Sequence, residues 1–540
     1  AGALGDCVHV AGVSRFLSLA GQQGHETFFT GPATDIESFV DAIHNFNPDV
    51  IGVSYRLTPE NARLLLQEFW GVIRAAGLSD RRFVFGGTPP VAAVARELGG
   101  FEAIFDGSEA PDALIRFLRG EPAQHDQNII PPQSTIARIQ WKAPYPLLRH
   151  HFGIPAFTIE PTVEGIAHIA EAGALDVISL GADQDAQEHF FRPDLQNPKS
   201  KGAGGVPFRS EKDLLRLREA AQRGNYPLLR SYSGTADLLR YADMLVRTLD
   251  NAWCATSLFF FNAMDGRGPL SLEDSIRDHL ALMAWHGARD IPVEGNEPYH
   301  WGMRDAPDVI SVAASYLYAY NAKKAGVRDY ITTYMFESPN TLSNRMDLAK
   351  ALAQIRVAEA FADADFRIWR QTRTGLLSYP VDMARARAHL AESIYLQMAL
   401  RPAIVHIVGY TEADHAATAA EVIESSVMAQ QVIGTALYGQ PDMTADPGVQ
   451  ARAGELVEEA HVLLEAIRRL GADAAEDPLS DPATLARAVQ AGLLDAPQLQ
   501  RNRFARGEIR SRTINGAVLA VDAEGHPLTE RQRLKGLGLA

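Results

Sequence analysis

The sequence predicts an α/β protein with a doubly wound, Rossmann-like domain of the flavodoxin type, then a (β/α)8 TIM barrel and a small α+β segment. Short apolar runs that end in turns alternate with helical periods, which is typical of parallel sheets with helical crossovers. The repeats after residue 156 number eight, the count that a barrel of about 250 residues requires. We therefore expect a first domain over 1–120, a linker over 121–150, a barrel over 151–440 and an accessory segment over 441–540.

The composition excludes several classes of protein. Apolar residues make up 46% of the 540 and charged residues 22%, as in soluble globular proteins. The net charge of −15 argues against nucleic acid as the main partner. The two cysteines, Cys7 and Cys254, exclude a disulfide scaffold and predict a cytoplasmic protein. The sequence contains no run of about 18 apolar residues, so it predicts no membrane-spanning helix. No secretory signal is visible, but the first strand lies so near residue 1 that we expect a few native residues to be missing.

The strands predicted for the first domain lie near residue 4 and at 49–55, 81–87 and 101–107. Parallel sheets of this kind bind ligands at the carboxyl ends of their strands. His9 follows the first strand, Ser54 lies at the end of a later one, and Gly86 and Gly87 end the next. Two adjacent glycines let a bulky ligand approach the backbone closely. The absence of Gly-x-Gly-x-x-Gly argues against a dinucleotide.

These residues, with Gly12, resemble the cobalamin-binding domain of B12-dependent mutases and methyltransferases. The resemblance implies that His9 replaces the dimethylbenzimidazole of the cofactor as the lower cobalt ligand. It also implies that the displaced nucleotide tail enters a slot lined by Ser54, Gly86 and Gly87. The cofactor and metal predicted for this domain are therefore cobalamin and its cobalt.

One position departs from the family motif, which reads Asp-x-His-x-x-Gly. Cys7 occupies the position of the aspartate, and Asp6 lies one residue too early. A ligating histidine usually donates its other N–H to an acceptor, which here is either Asp6 or a backbone carbonyl. The alternative is that His9 is a loop histidine with a local hydrogen bond.

The strands predicted for the barrel cover 157–161, 176–183, 228–234, 256–262, 291–298, 329–337, 366–373 and 403–412. Active sites of such barrels lie at the carboxyl ends of the strands. The polar candidates at those ends are Asp183, Gln184, Arg230, Ser233, Asn262, Asn296, Glu297, Glu337, Arg370, Arg373, Tyr410 and Glu412. The prolines and polar residues of 121–150 predict a linker rather than a packed element.

Several stretches resemble the large subunit of glutamate mutases (methylaspartate mutases), which are adenosylcobalamin-dependent carbon-skeleton mutases. "PLLRSYSGTADLLR" matches a third strand whose arginine binds a substrate carboxylate, here Arg230. "EGNEP" matches a fifth strand end with Asn296 and Glu297, and "YMFESPN" a sixth strand end with Glu337. Residues 493–528 resemble the carboxy-terminal segment of that subunit. The resemblance implies a radical isomerase that acts on a small carboxylic acid, with these four residues in its active site.

The fourth strand departs from that family and bears on the substrate. The family supplies a glutamate flanked by glycines there, whereas this chain reads "SLFFFNAMDG", with Phe259, Phe260 and Phe261. No other substrate arginine of the family has a match before Arg230. The family's lysine that approaches the cofactor ribose near the eighth strand has no counterpart here either, since the chain reads "DHAATAAE" there. We therefore predict a substrate other than glutamate and a more apolar pocket.

Structural alternatives stand beside the functional ones. Arg230 could form a salt bridge at the barrel rim, and Glu297 could hydrogen-bond a neighbouring loop. Strand alternation predicts that one of Arg370 and Arg373 points out of the barrel. The three phenylalanines of the fourth strand are typical of barrel packing.

Two other functions compete with the mutase. A corrinoid methyltransferase would carry a helical cap ahead of its cobalamin domain, and no helical bundle precedes residue 5. A non-catalytic cobalamin-binding protein would not need a full barrel with polar strand ends. The cysteine content argues against a radical-SAM enzyme, which needs three cluster thiolates. A homodimer is a further hypothesis, because barrels with accessory tails often pair.

Overall fold

The structure is a computed structural model that describes residues 1–107, 109, 113–120, 130–232, 234–474 and 477–539. The chain divides into two compact units, Ala1–Ile129 and Ile130–Ala540. Each unit is built around its own hydrophobic clusters. The two units are therefore described separately.

The first unit contains a parallel sheet with five strands in its described part. The strands are β1 Gly2–Leu4, β2 Gly31–Thr34, β3 Val50–Ser54, β4 Arg82–Gly86 and β5 Ala103–Phe105. The helices are α1 Ala11–Gln22, α2 Ile36–Phe46, α3 Pro59–Ala75, α4 Pro89–Leu98 and α5 Ala113–Leu118. The strand order β2-β1-β3-β4-β5 is that of doubly wound sheets of the flavodoxin type. Helix α1 contacts α5, while α3 contacts α2 and α4, as expected for helices on opposite sheet faces.

Local sequence accounts for these elements. Val, Ile and Phe fill β3 and β4, which are buried and flanked by other strands. Helix α2 begins after Asp35, whose carboxylate accepts the N–H of Ser38 at 2.6 Å. Helix α3 begins after Thr58 with a proline in its first turn. The predicted fold class of this domain is confirmed at the level of a parallel five-stranded sheet.

The second unit contains a parallel sheet that nearly closes into a barrel, with eight strands in the described residues. They are β6 Leu147–Phe152, β7 Val177–Leu180, β8 Leu228–Ser231, β9 Cys254–Thr256, β10 Val293–Gly295, β11 Asp329–Met335, β12 Arg367–Arg373 and β13 Ile404–Ile407. Neighbours in the chain are neighbours in the sheet, and β13 pairs with β6. Strands β8 and β9 approach each other without a hydrogen-bonded ladder. The predicted TIM-like barrel is confirmed.

The helices of the second unit precede, separate and follow the strands of the barrel. They are α6 Thr135–Lys142, α7 Glu160–Ala172, α8 Gln184–Glu188, α9 Glu211–Ala221, α10 Leu238–Leu249, α11 Leu272–Gly287, α12 Glu297–Gly302, α13 Asp308–Lys324, α14 Asn344–Glu359, α15 Met383–Gln397, α16 Ala419–Gly439, α17 Pro447–Leu470, α18 Pro482–Gln490 and α19 Glu530–Gly536. Helix α17 packs on α13 and α14, so the carboxy-terminal segment belongs to the same compact unit as the barrel. That segment contains the hairpin β14 Ser511–Ile514 and β15 Ala517–Ala520, which precedes α19. Its turn is the Asn515-Gly516 pair, in which both residues are at positive φ, as is typical of two-residue hairpin turns.

The prediction of the first barrel strand is wrong. Residues 157–161 form bends and the start of α7, whereas the first strand is Leu147–Phe152, inside the predicted linker 121–150. Helix α6 also lies in that linker, and residues 121–129 lie outside the described residues. The strand "LLRHHF" was missed because polar side chains interrupt the apolar pattern in its middle. The two prolines just before it are also more typical of a linker than of a strand.

The fourth predicted strand is displaced. Strand β9 overlaps 256–262 only at Thr256, and the phenylalanines follow it in a loop. Phe259 and Phe260 are fully buried in the largest hydrophobic cluster, as the packing interpretation predicts. Burial of these side chains, rather than strand pairing, therefore holds the loop in place.

Candidate functional site

An apolar layer closes the amino-terminal end of the barrel interior. It joins side chains from separate strands, namely Leu147, Val177, Leu228, Ile331 and Ile404. Side chains alternate along a strand, so the residue two positions further on faces the same way. Those residues are polar, namely Arg149, Ser179, Arg230, Thr333 and His406. The barrel interior thus changes from an apolar floor to a polar layer toward the carboxyl ends of the strands.

A buried ion pair lies at the centre of the polar layer. Arg149 Nη1 donates to both oxygens of Glu294 at 2.9 Å, and neither side chain is more than 2% exposed. Arg230 Nη2 lies 3.5 Å from the same carboxylate. Ser179 Oγ accepts from Arg149 Nε at 2.7 Å and from Arg230 Nη1 at 3.2 Å. The two guanidiniums therefore share one carboxylate and one hydroxyl.

Further donors surround Glu294. Trp253 Nε1 donates to it at 2.6 Å, Gln371 Nε2 at 2.9 Å and Thr333 Oγ1 at 3.2 Å. Burial alone would raise the pKa of Glu294, but the charges of Arg149 and Arg230 and these donors lower it to about 2. Glu294 is therefore a permanent carboxylate. Burial and the nearby Arg230 lower the pKa of Arg149 to about 10, which leaves Arg149 charged at neutral pH.

Aromatic and imidazole rings adjoin this network. Tyr232 Oη lies 3.1 Å from His151 Nε2, with the two rings stacked, and the His406 ring is 4.7 Å from that of His151. His406 is 1% exposed, and neither of its ring nitrogens has a hydrogen-bond partner among the described residues. Burial and then the neighbouring guanidiniums hold the pKa of His151 and His406 well below the usual value. Both imidazoles are therefore neutral.

Arg373, at the end of β12, brings a third guanidinium to this layer. It lies 5.6 Å from the Tyr299 ring, and its charge acts on His151 and His406. Among the described residues it has no carboxylate within 4.0 Å, and its Nε has no hydrogen-bond partner although it is buried. Arg373 thus has no ion-pair partner among the described residues: Glu294 already serves Arg149 and Arg230, and Glu412, whose pKa desolvation raises and the charge of Arg373 lowers, lies more than 4.0 Å from it. An anion is the ligand that this arrangement favours.

Arg370 lies on the opposite face of the same strand. Its guanidinium binds Glu359 of α14 at 2.6 and 2.9 Å and the Leu400 carbonyl at 2.9 Å. The alternation prediction for Arg370 and Arg373 is therefore confirmed, with Arg373 on the inner face.

Glu297, a predicted active-site residue, is bound on all sides by its own protein. One oxygen accepts the N–H groups of Leu258 and Phe259 at 2.7 and 3.0 Å and the hydroxyl of Ser257, and the other accepts Trp301 Nε1 at 2.7 Å. The carboxylate ties the loop after β9 to α12. A substrate group would have to displace one of these donors to reach it.

The other two predicted acidic and amide residues differ in availability. Asn296 is 1% exposed, and its Oδ1 has no hydrogen-bond partner among the described residues. Glu337 accepts Ser378 Oγ at 3.2 Å and Ser393 Oγ at 3.3 Å, and lies 3.4 Å from His389 Nε2. Asn296 is therefore available as an acceptor, whereas Glu337 is engaged by its neighbours.

Most of the remaining polar candidates form hydrogen bonds or ion pairs with other residues of the protein. Their partners are Arg209 for Asp183, Phe259 and Met264 for Asn262, and Glu424 for Tyr410. Gln184 and Glu412 are exposed, and Ser233 lies outside the described residues.

Sequence reasoning missed much of the polar layer. Arg149, His151, Glu294, Gln371 and His406 were not among the predicted site residues, although Arg230 and Arg373 were. The signal for the missed residues is a polar side chain at alternate positions of an apolar strand, as in "LLRHHF" and "IVHI". Burying such residues in a barrel costs free energy unless they pair or bind a ligand.

The carboxyl edge of the first unit brings together part of the predicted cobalamin site. Ser54 pairs with Ala3 of β1 and with Gly86 of β4 in the sheet. His9 follows β1 and is exposed. No hydrogen bond between Asp6 and His9 is present in the described residues, so Asp6 does not orient this imidazole here.

The glycines at this edge fall into two kinds. A Cβ on Gly12 or Gly86 would meet no atom within 4 Å, so the backbone there is open to a ligand. A Cβ on Gly87 would lie 2.7 Å from the Tyr55 carbonyl, so Gly87 is required by packing. An exposed imidazole beside open glycine backbone fits the predicted role of a single protein ligand to a corrin-bound cobalt.

The fold and site define the class of this chain as a mixed α/β protein with a parallel five-stranded sheet and a nearly closed, eight-stranded TIM-like barrel in its described residues. No family model and no curated protein sequence matches it. Among solved structures, it is similar to tryptophan synthase from M. tuberculosis in an open form with BRD0059 bound. That likeness has 13% identity and a TM-score of 0.31, and covers 56% of this chain and 100% of the other. It carries no argument about activity. Within the described residues, no helix has the length and apolar character needed to cross a bilayer.

Proposed function

We propose that this protein is an adenosylcobalamin-dependent radical isomerase that rearranges the carbon skeleton of a small carboxylic acid. The observation that carries the proposal is the unpaired guanidinium of Arg373 beside Arg149 and Arg230 inside a barrel. The reaction class rests on the resemblance of the His9 motif and of the strand ends to B12-dependent mutases. The substrate charge rests on the barrel interior alone.

Arg373 binds the substrate carboxylate in this proposal. A guanidinium offers two parallel N–H donors to a carboxylate, and burial strengthens such charge-assisted bonds. Arg230 donates to Ser179 through Nη1 and lies 3.5 Å from Glu294, and its buried Nε and Nη2 have no hydrogen-bond partner among the described residues. In this proposal it adds positive charge and further donors for the same carboxylate. The neutral His406 and the Oδ1 of Asn296 offer hydrogen bonds to uncharged or cationic groups of the substrate.

His9 would hold the cobalt, and the open backbone at Gly12 and Gly86 would lie against the cofactor. When bound, adenosylcobalamin supplies a carbon-centred radical by homolysis of its cobalt–carbon bond. The chain itself binds the acid, orients it and excludes water. The apolar floor under the polar layer and the buried Phe259 and Phe260 serve the last of these tasks.

The cofactor half of the proposal is tested by spectroscopy. Hydroxocobalamin is added to the full chain, and the absorbance spectrum and the electron paramagnetic resonance of the reduced Co(II) form are recorded. Because the cofactor's own dimethylbenzimidazole nitrogen also splits this signal, the histidines of the protein are labelled with 15N. We expect a doublet splitting from a histidine nitrogen in the wild type, and in His9→Ala the triplet of the unlabelled cofactor base. His44→Ala, an exposed histidine of α2, is the control and keeps the splitting. Wild-type protein without a histidine nitrogen on cobalt contradicts the assignment.

The substrate half is tested by turnover. Candidate carboxylic acids are incubated anaerobically with adenosylcobalamin and the protein, and isomers are followed by proton NMR. We expect Arg373→Met to raise KM about 30-fold or more, because loss of one partner of a buried charged pair costs about 2 to 5 kcal/mol. Arg370→Met, on the outer face of the same strand, is expected to leave KM within about twofold.

Two outcomes count against this reaction. Failure to isomerise any acid tried argues against the mutase. Faster chemistry with methylcobalamin and a methyl acceptor would favour a corrinoid methyltransferase.

A further inference from the structure

A cavity of about 940 Å³ lies in the second unit, where the carboxy-terminal segment meets the barrel loops. Asp305, Pro339 and Thr341 contribute from the barrel side. Residues 500–513 supply most of the other wall. None of the lining residues belongs to the polar layer of the barrel interior, so the cavity is a separate feature.

Positive charge is concentrated in this cavity. Arg501, Arg506, Arg510 and Arg512 line it, against two carboxylates, Asp305 and Glu508. Glu508 pairs with Arg506 at 2.6 Å. Asp305 accepts the side-chain amide of Gln498 at 2.8 Å.

Three of these arginines lack counter-ions. In the part of the chain that the structure describes, Arg501, Arg510 and Arg512 have no carboxylate within 4.0 Å and no side-chain hydrogen bond. The whole protein carries a net charge of −15, so such a cluster runs against the average of its surface. Three uncompensated guanidiniums around one cavity favour a ligand with several negative charges.

The wall that carries these arginines is held in place from behind. Asp495 is 1% exposed, and its carboxylate accepts the N–H groups of Gly507, Glu508 and Ile509 at 2.8, 2.9 and 3.1 Å. The backbone before Arg510 is thus fixed by a buried anion on the far side. A preorganised wall costs little ordering entropy when a ligand binds.

Neighbouring glycines leave room for two of the guanidinium-bearing side chains. A Cβ on Gly525 would lie 2.4 Å from Arg512 Nη1, and a Cβ on Gly492 would lie 2.8 Å from Arg506 Cδ. Both glycines are at positive φ, where other residues are strained. Ser511 Oγ donates to the Asp305 carbonyl at 2.6 Å and fastens the arginine segment to the barrel loop.

We propose that this cavity binds a phosphate-bearing small molecule of about nucleotide size. Its volume lies within the range of small-molecule sites, about 300 to 1,000 Å³. A chain of two or three phosphates carries the multiple charge that Arg501, Arg510 and Arg512 can neutralise, and guanidiniums bind phosphate oxygens in a bidentate manner. The site does not depend on the reaction proposed for the barrel.

The test is isothermal titration of the full chain with ATP, inorganic tripolyphosphate and adenosine, at low and high salt. We expect ATP and tripolyphosphate to bind, adenosine not to bind, and added salt to weaken both phosphates. The variant Arg510→Gln/Arg512→Gln is expected to weaken binding at least 10-fold. Arg503→Gln, in the same segment but outside the cavity, is the control and should bind as the wild type does.

Each remaining outcome decides the proposal. ATP binding more tightly than tripolyphosphate assigns the cavity to a nucleotide, and equal affinities assign it to the phosphate chain alone. Absence of binding for both at millimolar concentration overturns the site, as does equal weakening by Arg503→Gln. If circular dichroism shows the double variant to be misfolded, Arg501→Gln replaces it and is expected to weaken tripolyphosphate binding.

Discussion

At the scale of single residues, Glu294 decides the stability of the barrel interior. Replacement by Gln removes the negative charge that Arg149 and Arg230 share and leaves two buried guanidiniums uncompensated. Breaking a buried pair in this way costs about 3 to 5 kcal/mol. We expect Glu294→Gln to lower the free energy of unfolding in urea by an amount in that range.

The matched control is Glu359→Gln, which removes the partner of Arg370 on the outer face of β12. Both of these side chains are about one third exposed, so water replaces the lost contact and the expected loss is about 1 kcal/mol or less. Equal losses for the two variants would show that burial of the inner pair does not determine its contribution.

Replacement of Glu297 distinguishes a structural role, in which it holds the loop after β9, from a catalytic role. Both oxygens of the Glu297 carboxylate accept hydrogen bonds, one from the loop after β9 and the other from Trp301. In Glu297→Gln an NH2 group replaces one of these oxygens, so it faces N–H donors and leaves them without an acceptor. Leaving buried donors unpaired costs about 1 to 3 kcal/mol. We expect this stability loss in urea, with kcat at saturating substrate reduced less than threefold once the folded fraction is corrected. A loss of kcat above 100-fold in a stably folded variant would instead make Glu297 catalytic.

At the scale of elements, His389 of α15 and Glu337 after β11 form a contact that depends on pH. The hydrogen bond to Glu337 raises the pKa of His389, although burial opposes the shift. A raised histidine pKa contributes stability that is fully present below the unfolded-state value of about 6.5 and is lost as the pH rises through the folded value.

We therefore expect the wild type to lose about 1 kcal/mol of stability relative to His389→Gln between about pH 6 and pH 9. The measurement is urea unfolding of both proteins across that range. The pair Glu337→Gln and Glu337→Gln/His389→Gln provides the control, since without the carboxylate the pH-dependent difference should vanish. Persistence of the difference in that background would assign it to another partner of His389.

Elements with an uninterrupted pattern were predictable from the sequence, and those with polar interiors were not. Strand β11, "DYITTYM", and strand β12, "RIWRQTR", were found because their length and β-branched or aromatic residues outweigh their polar positions. Strand β6 was missed because Arg149 and two histidines occupy the positions that an apolar pattern needs. Two of the three residues that make β6 hard to recognise, Arg149 and His151, point into the site, and His150 lies on the opposite face of the strand.

At the scale of the whole molecule, the candidate site depends on pairings that the sequence does not contain. Arg149 donates to Gln371 at 2.8 Å across 222 positions of the chain. The fold class predicts that strand ends converge, which is enough to select Arg230 and Arg373. It does not give the register that places Arg149 beside Glu294, so the charge balance of the interior follows only from the structure.

The two compact units have separate cores, which leads to a prediction for the first unit alone. Its cluster includes Phe39, Phe69, Trp70 and Phe83 in edge-to-face contact. We expect residues 1–129, prepared without the rest of the chain, to fold and to unfold cooperatively on heating.

If this unit binds cobalamin through His9, hydroxocobalamin at 100 times its dissociation constant should stabilise it by about 2.7 kcal/mol. Under the same conditions His9→Ala should show a shift in Tm well below that of the wild type, and His44→Ala the full shift. A fragment that folds but gains no stability from hydroxocobalamin would contradict cofactor binding by this unit alone, and with it the role assigned to His9.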